Sequence, residues 1–314
     1  MYFFKDRFKN THNTDTAIGL DIGSHTIKWV CLDRNNTLKE YAIQTIPAPT
    51  GVLQTKDVPQ IAGVLKETLL DKDHIRNCIV NIPDILVCSK SVKIDSADCQ
   101  HIEEIIELLA EQSIPYPLCK LYFDYQIFDP LPKNQEYKVL LVACRKDHVD
   151  FRLDIIQQAN LVPIAVEVGS FALERACCFF YPDKMNENVI FLDLGASQLT
   201  LLFFNCSQTM VYCENLTNVF EYECILLQIK RCIKRYALTY PYLIFKKIFL
   251  MGINIALSNY LLNRLDGFLE LQIQILKCPT SIKCSPVIDI DKLVQNFPSL
   301  LLSYGLALRV NLNF

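Results

Sequence analysis

The chain has 314 residues, 51% of them hydrophobic and 21% charged, with a net charge of −3 and a pI near 6.0. That is enough chain for two domains, or for one domain with an insertion, and enough apolar content for a packed core. The slightly acidic balance supplies no electrostatic footprint for nucleic acid and argues against such a partner. Fourteen cysteines sit mostly in apolar runs such as Val30-Cys31-Leu32 and Ala143-Cys144, with no C-x-x-C pair and no secretory signal ahead of them. They read as reduced core thiols of a cytosolic protein rather than as disulfides or metal ligands.

The opening "MYFFKDRFKN" mixes aromatics with Lys5, Arg7 and Lys9 and reads as a flexible tail over residues 1–16, with contact to a membrane surface as the alternative. Ile18 to Ile22 then predicts a buried strand, followed by a tight turn and a second strand through Trp29 and Cys31. Trp29 is expected in the core. Asp21 stands inside the first strand, where an unpaired carboxylate costs on the order of several kcal/mol. Further on, Leu86 to Ile94 predicts a strand. Ser96 to Gln112 follows as a helix, with Ile102, Ile105, Ile106 and Leu109 on one face and Ser96 as its cap. Asp98, Glu103 and Glu104 suit the positive end of that helix dipole. Pro115 and Pro117 stop it. Leu121 to Phe128 and Tyr137 to Ala143 then predict paired strands joined by a turn at Pro130 to Pro132, and Lys146 to Ala159 a second helix. The two helices are expected on one face of the sheet, which makes a small α+β module.

Asn188 to Cys213 holds no Lys or Arg and a single charge, Asp193. A hydropathy scan would flag it, but Asp193, Gly195 and Ser197-Gln198 interrupt it before about 18 apolar residues accumulate. A better account comes from laying "IGLDIGSHTIKWV" (Ile18 to Val30) over "IFLDLGASQLTLL" (Ile190 to Leu202). Asp21 falls on Asp193, Gly23 on Gly195, and the apolar positions match on both sides. Two such copies half a chain apart predict two related halves, each opening on strand, tight turn and returning strand. A glycine turn lets backbone N–H groups approach an anion. Two facing turns would clamp a phosphate chain, and an aspartate in each strand would hold Mg2+ through water.

The candidate binding residues are therefore Asp21, Gly23, Ser24, His25, Thr26 and Lys28 in the first copy, and Asp193, Gly195, Ala196, Ser197 and Gln198 in the second. Asp21 and Asp193 are the candidate metal ligands, at the mouth of an interdomain cleft. His25 reads as a polar filler of its turn. Lys28 points either into the cleft or to solvent. In "KRCIKRY", Lys230 pairs with Lys234 and Arg231 with Arg235 one helical turn apart, a solvated face or a contact to nucleotide or anionic lipid.

The doubled turn resembles the phosphate loops of the actin-like ATPase superfamily, which implies an α/β, ribonuclease H-like two-domain fold. The segments "EIIELLAEQSIPYPL", "FDYQIF", "VLLVACRKDHVDFRLDIIQQANL" and "SFALERA", with the ending "GLALR", resemble the PilM family of type IV pilus assembly proteins. The resemblance runs from about Gly19 to Leu202 and resumes near the C-terminus.

It implies a first actin-like domain over 17–90 and 163–188, an inserted SHS2-like subdomain (1C) over 91–162, and a second actin-like domain over 189–314. It also implies a cytoplasmic protein, peripheral to the inner membrane. There it meets the pilus machinery through the short N-terminal cytoplasmic peptide of PilN, which docks between subdomains 1A and 1C. Membrane association would thus be indirect.

Several positions depart from the family pattern. Val211 to Lys247 has no glycine, leaving a shortened helical subdomain near 214–247. Gly169 stands where relatives carry an acid, and the adenosine-side loop offers Gly252 followed by Ile253 rather than paired glycines. The chain has only 9 glycines, under half the usual share of about 7%. The expected function is a scaffold that binds the PilN peptide, with ATP and Mg2+ bound weakly and no catalytic residue. The alternative is an active ATPase driving pilus assembly or a type II secretion-like system. A sugar kinase is set aside, because no sugar-binding catalytic Asp is identifiable.

Overall fold

The structure is a computed structural model that describes residues 17–47, 55–72, 74–95, 101–128, 136–205, 208–215, 221–252, 255–266 and 268–311. In chain order the elements begin with β1 (Ala17–Ile22), β2 (Thr26–Leu32), β3 (Leu38–Thr45), α1 (Val58–Thr68) and β4 (Asn77–Ile82). Next come β5 (Val87–Asp95), α2 (Ile102–Ser113), β6 (Leu121–Phe128), β7 (Glu136–Arg145), α3 (Lys146–Gln158), β8 (Val162–Val168) and α4 (Gly169–Phe180). The rest are β9 (Val189–Leu194), β10 (Gln198–Asn205), β11 (Gln208–Asn215), α5 (Tyr222–Thr239), β12 (Lys247–Gly252), α6 (Ile255–Leu265), β13 (Gln272–Ile275) and α7 (Ile290–Leu308). The chain divides into two compact units. A middle unit is built on residues 54–171, and a terminal unit on residues 15–53 and 172–314.

In the middle unit β5, β7 and β6 form an antiparallel sheet in that order. Val139, Leu141 and Ala143 alternate along β7, so all three point to one face. There they meet Ile106 and Ala110 of α2, with Ile102, Ile105 and Leu109 packed alongside. Glu103 and Glu104 occupy the first turn of α2, where they offset its dipole. The proposed Ser96 cap and the Pro130 to Pro132 turn fall outside the described residues.

The second helix has another place than expected. It follows β7 without an intervening loop, and α3 packs chiefly on α1 and on β8, which runs parallel to β4. Its buried residues Val149, Ile155 and Ile156 contribute nothing to the α2 core. The apolar face of α1 (Val58, Ile61, Ala62, Leu65) needs cover, and α3 supplies it.

In the terminal unit β1, β2 and β3 make an antiparallel meander, and Trp29 is fully buried within it. A five-stranded sheet runs β11-β10-β9-β12-β13, with β12 parallel to both its neighbours. The segment that a hydropathy scan would flag is thus three antiparallel strands. Strand β9 is apolar at every position but Asp193 because both its faces are covered. Val189 and Phe191 pack with α4 and α7, whereas Ile190, Leu192 and Leu194 pack with α5 and α6. No described helix is long and apolar enough to cross a membrane.

Helix α7 starts where the Asp289 carboxylate accepts a hydrogen bond from the Lys292 N–H at 3.1 Å, an N-cap. Two glycines let it sit close to its neighbours. A Cβ on Gly19 of β1 would lie 2.0 Å from the Ser303 carbonyl oxygen, and one on Gly305 would lie 1.8 Å from that of Ala172. Those separations are far inside van der Waals contact, so backbone meets backbone at both points.

Candidate functional site

The two candidate turns have the same construction. Ile22 pairs with Ile27 and Leu194 with Leu199, so each hairpin closes through a two-residue loop, Ser24-His25 in one and Ala196-Ser197 in the other. In the first, the Gly23 N–H donates to the Thr26 carbonyl at 2.9 Å; in the second, the Gly195 N–H donates to that of Gln198 at 3.0 Å. A Cβ at either glycine would approach that same carbonyl oxygen to 3.0 Å. His25 and Ala196 are exposed at the tips. The Ser24 hydroxyl lies 2.9 Å from His25 Nδ1, which fits a local polar role for that ring.

Behind each turn stands its aspartate, two residues before the glycine. Asp21 is opposite Lys28 in the register, and Asp193 is opposite Thr200. The two copies therefore differ at one chemically decisive place: a cation in the first and a hydroxyl in the second. Lys28 points inward rather than to solvent. Its ammonium forms an ion pair with Asp21 at 2.7 Å and donates to the Ser299 carbonyl of α7 at 3.3 Å. Both side chains are close to buried, so Asp21 has the partner that its place in a core strand requires.

The electrostatics tie the second aspartate to the same cluster. Burial pulls the Lys28 ammonium down, but Asp21 and then Asp193 outweigh it, and the net displacement is upward. For Asp193, burial is the largest influence and raises the carboxyl; Lys28 opposes it, the Asp21 charge adds to it, and the group is pushed up to about 6. One ammonium is thus shared by two carboxylates and leaves Asp193 under-neutralised.

Gly252 ends β12 beside the second turn, in register with Leu194. Its φ is +112°, and a Cβ there would lie 2.3 Å from the Leu194 carbonyl oxygen. Only glycine fits this crossing. The terminal unit therefore brings together Asp21, Lys28 and Asp193, and sets Gly195 and Gly252 on adjoining strand ends. The donor set fits an anion at the turns and a divalent cation near Asp193, whose carboxyl is raised chiefly by burial. Among the described residues no group of three His, Cys, Asp or Glu side chains is placed to hold a metal by itself.

Sequence reasoning passed over polar groups in the middle unit. Glu167 is fully buried near the carboxyl end of β8, and in the register of the parallel pair it faces Asn81 of β4, which is also buried. Asp84 accepts from the Ser170 N–H at 2.9 Å, at the start of α4. That carboxylate, supplied by another segment, meets the helix start beside Gly169. A charged residue within the run "PIAVEVGS" was the available signal.

A family model described as type IV pilus assembly protein PilM matches residues 19–217. A solved "PilM-PilN type IV pilus biogenesis complex" superposes with a TM-score of 0.78 at 19% identity, covering 95% of this chain and 99% of that chain. The cytoplasmic domain of EpsL, an inner membrane component of the type II secretion system of Vibrio cholerae, gives 0.50 at 10% identity, covering 95% and 96%. The ethanolamine utilization protein EutJ from Carboxydothermus hydrogenoformans gives 0.51 at 12%, covering 94% and 89%. The fold is the actin-like α/β fold, carrying an inserted α+β module of β5, α2, β6 and β7.

Proposed function

Because the chain belongs to the PilM family of type IV pilus assembly proteins, we propose that it is a cytoplasmic scaffold of that machinery. It binds the N-terminal peptide of a PilN-like inner-membrane protein and through it lies peripheral to the inner membrane. The observation that carries this reading is the family match across residues 19–217, joined to the likeness to a PilM held in a complex with PilN. The module of β5, α2, β6 and β7 is then the inserted subdomain 1C, between the two parts of the first actin-like domain, and 189–314 form the second.

The peptide docks where the inserted module meets the β4–β8 layer of the middle unit. Two features of the module suit an extended ligand. Both β5 and β6 are edge strands of their sheet, able to take an added strand by main-chain pairing. A cavity of about 500 Å3 lies at the end of α2, lined by Ile114, Pro115, Tyr116, Pro117 and Leu118 among others. It provides a pocket for an apolar side chain.

ATP with Mg2+ is a weak ligand in this reading. Asp21 and Asp193 would hold the metal, and the turns through Ser24, His25 and Thr26 and through Ala196, Ser197 and Gln198 would hold the phosphates, with Lys28 beside them. When bound, the metal would supply positive charge that neutralises the phosphates. The adenine side is poor, because Gly252 is occupied by close packing on Leu194. The retained aspartate pair and Lys28 favour a second reading, an active ATPase.

Calorimetric titration of the full chain with a PilN-type N-terminal peptide tests the scaffold. Saturable one-to-one binding without nucleotide is expected. It should be abolished by charge substitutions along the docking groove and unaffected by Asp21→Asn. No binding, or binding unchanged after deletion of the inserted module, contradicts it.

A further inference from the structure

Helix α5 has a second sidedness beyond the one that builds the core. Ile225, Leu226, Ile229, Cys232, Ile233 and Tyr236 face inward. Beyond Glu223 in the first turn, the opposite face carries no acidic residue and is not the mixed-charge surface usual for a solvated helix. Leu227, Arg231, Lys234, Arg235 and Leu238 fall within about one-third of the helix circumference by their spacing. Leu238 is 83% exposed and Leu227 52%; the segment that follows adds Tyr242 at 73% and Ile244 at 69%.

The charge pattern is equally one-sided. From Cys224 to Leu265 the sequence holds seven basic residues and no acidic one. Several of these are engaged: Lys247 is ion-paired with Glu187 at 2.6 Å, Lys230 sits 5.1 Å over the Phe268 ring, and Arg264 sits 5.6 Å over the Tyr260 ring. Lys234 also leans on that ring, at 5.7 Å, which holds its stem against the protein and leaves its ammonium at the surface.

We propose that the outer face of α5, with Tyr242 and Ile244, is a direct contact site for an anionic lipid bilayer. Cations alone would suit an acidic protein equally well. The exposed Leu238, Tyr242 and Ile244 decide between the two, because they lie with the cations in a stretch of sequence that has no acidic residue, and the nearby Glu187 is ion-paired with Lys247. An acidic protein surface leaves those apolar groups in water. The bilayer interface takes both: headgroups meet the cations, and the side chains enter the boundary between headgroup and acyl chain. This contact goes beyond attachment through a membrane-bound partner. It adds a second, weaker hold on the same membrane, and two weak holds combine multiplicatively.

The test is co-sedimentation of the purified full chain with vesicles of phosphatidylcholine, or of phosphatidylcholine with roughly one-third phosphatidylglycerol. Three proteins are compared: the natural chain, Arg231→Glu with Lys234→Glu, and Leu238→Ser with Tyr242→Ser. All four altered positions are exposed, so an unchanged thermal melt is the folding control.

The expected result is binding to the anionic vesicles only, weakening as salt rises. The charge variant should reduce it on the order of tenfold or more. The apolar variant should reduce it several-fold while leaving the salt dependence in place. Equal binding to neutral vesicles, or full binding by both variants, overturns the proposal and points to another surface, such as the aromatic N-terminal segment. Failure to bind any vesicle, with retention on immobilised polyglutamate, also overturns it and assigns the face to an acidic protein.

Discussion

Lys28 is held between obligations. It neutralises Asp21, donates to the Ser299 carbonyl and feels the Asp193 charge. Removing its ammonium leaves a carboxylate in a core strand without a partner. Lys28→Ala is therefore expected to cost about 3 kcal/mol in urea denaturation, while Lys28→Met with Asp21→Asn recovers most of it. Equal losses in single and double variants would show that the pair contributes no coupling. Asp193 gives a pH signature. Its folded-state carboxyl is raised to about 6, so between the unfolded value of about 4 and that point the native state binds the extra proton. Stability from this group is full at low pH and is lost as pH rises through about 6. Asp193→Asn should accordingly gain on the natural chain, by roughly 1 kcal/mol, between pH of about 5 and 7.5. A gap that stays flat with pH contradicts the assignment. Asp21 was legible as a problem, because a lone charge in an apolar strand demands a partner. The direction of Lys28 was not, because alternation fixes which face a side chain takes and says nothing of what waits there.

At the scale of elements, the doubled hairpin was readable because it is written twice, and the register confirms it residue for residue from Asp21 to Lys28 and from Asp193 to Thr200. Helix α2 was readable from its spacing. The seat of α3 was not: periodicity identifies its buried face, but its cover, α1, lies some ninety residues earlier in the chain. Glu167 and Asn81 were lost for a related reason, since an apolar run reads as a strand whether or not it carries one polar residue. Close approaches are also silent in a sequence. Gly305 sits inside the last turn of α7, where alanine would ordinarily stabilise by about 1 kcal/mol. Here a Cβ would enter the Ala172 carbonyl, so Gly305→Ala should instead lower stability by about 2–3 kcal/mol. A rise in melting temperature would show that α7 has room to shift.

For the whole molecule, the question is whether a PilM-family chain with two glycine turns is a motor or a support. Phosphoryl transfer needs a held phosphate chain, a metal and a positioned water, and nearly all its acceleration comes from placement and electrostatics. The terminal unit has residues suited to the first two. In that unit no residue is assigned to the third, Gly252 is committed to packing, and the region before β12 is reduced to α5 among its described residues. The family was legible because the turns and the segments of the module are local patterns; whether nucleotide is turned over depends on what surrounds them. The direct test is steady-state phosphate release by the pure full chain with ATP, Mg2+ and saturating PilN-type peptide. The account predicts turnover far below about 1 per second, the same in Asp21→Asn and Asp193→Asn, with peptide binding intact in both. Brisk release that disappears in both variants would contradict it and make the protein a working ATPase.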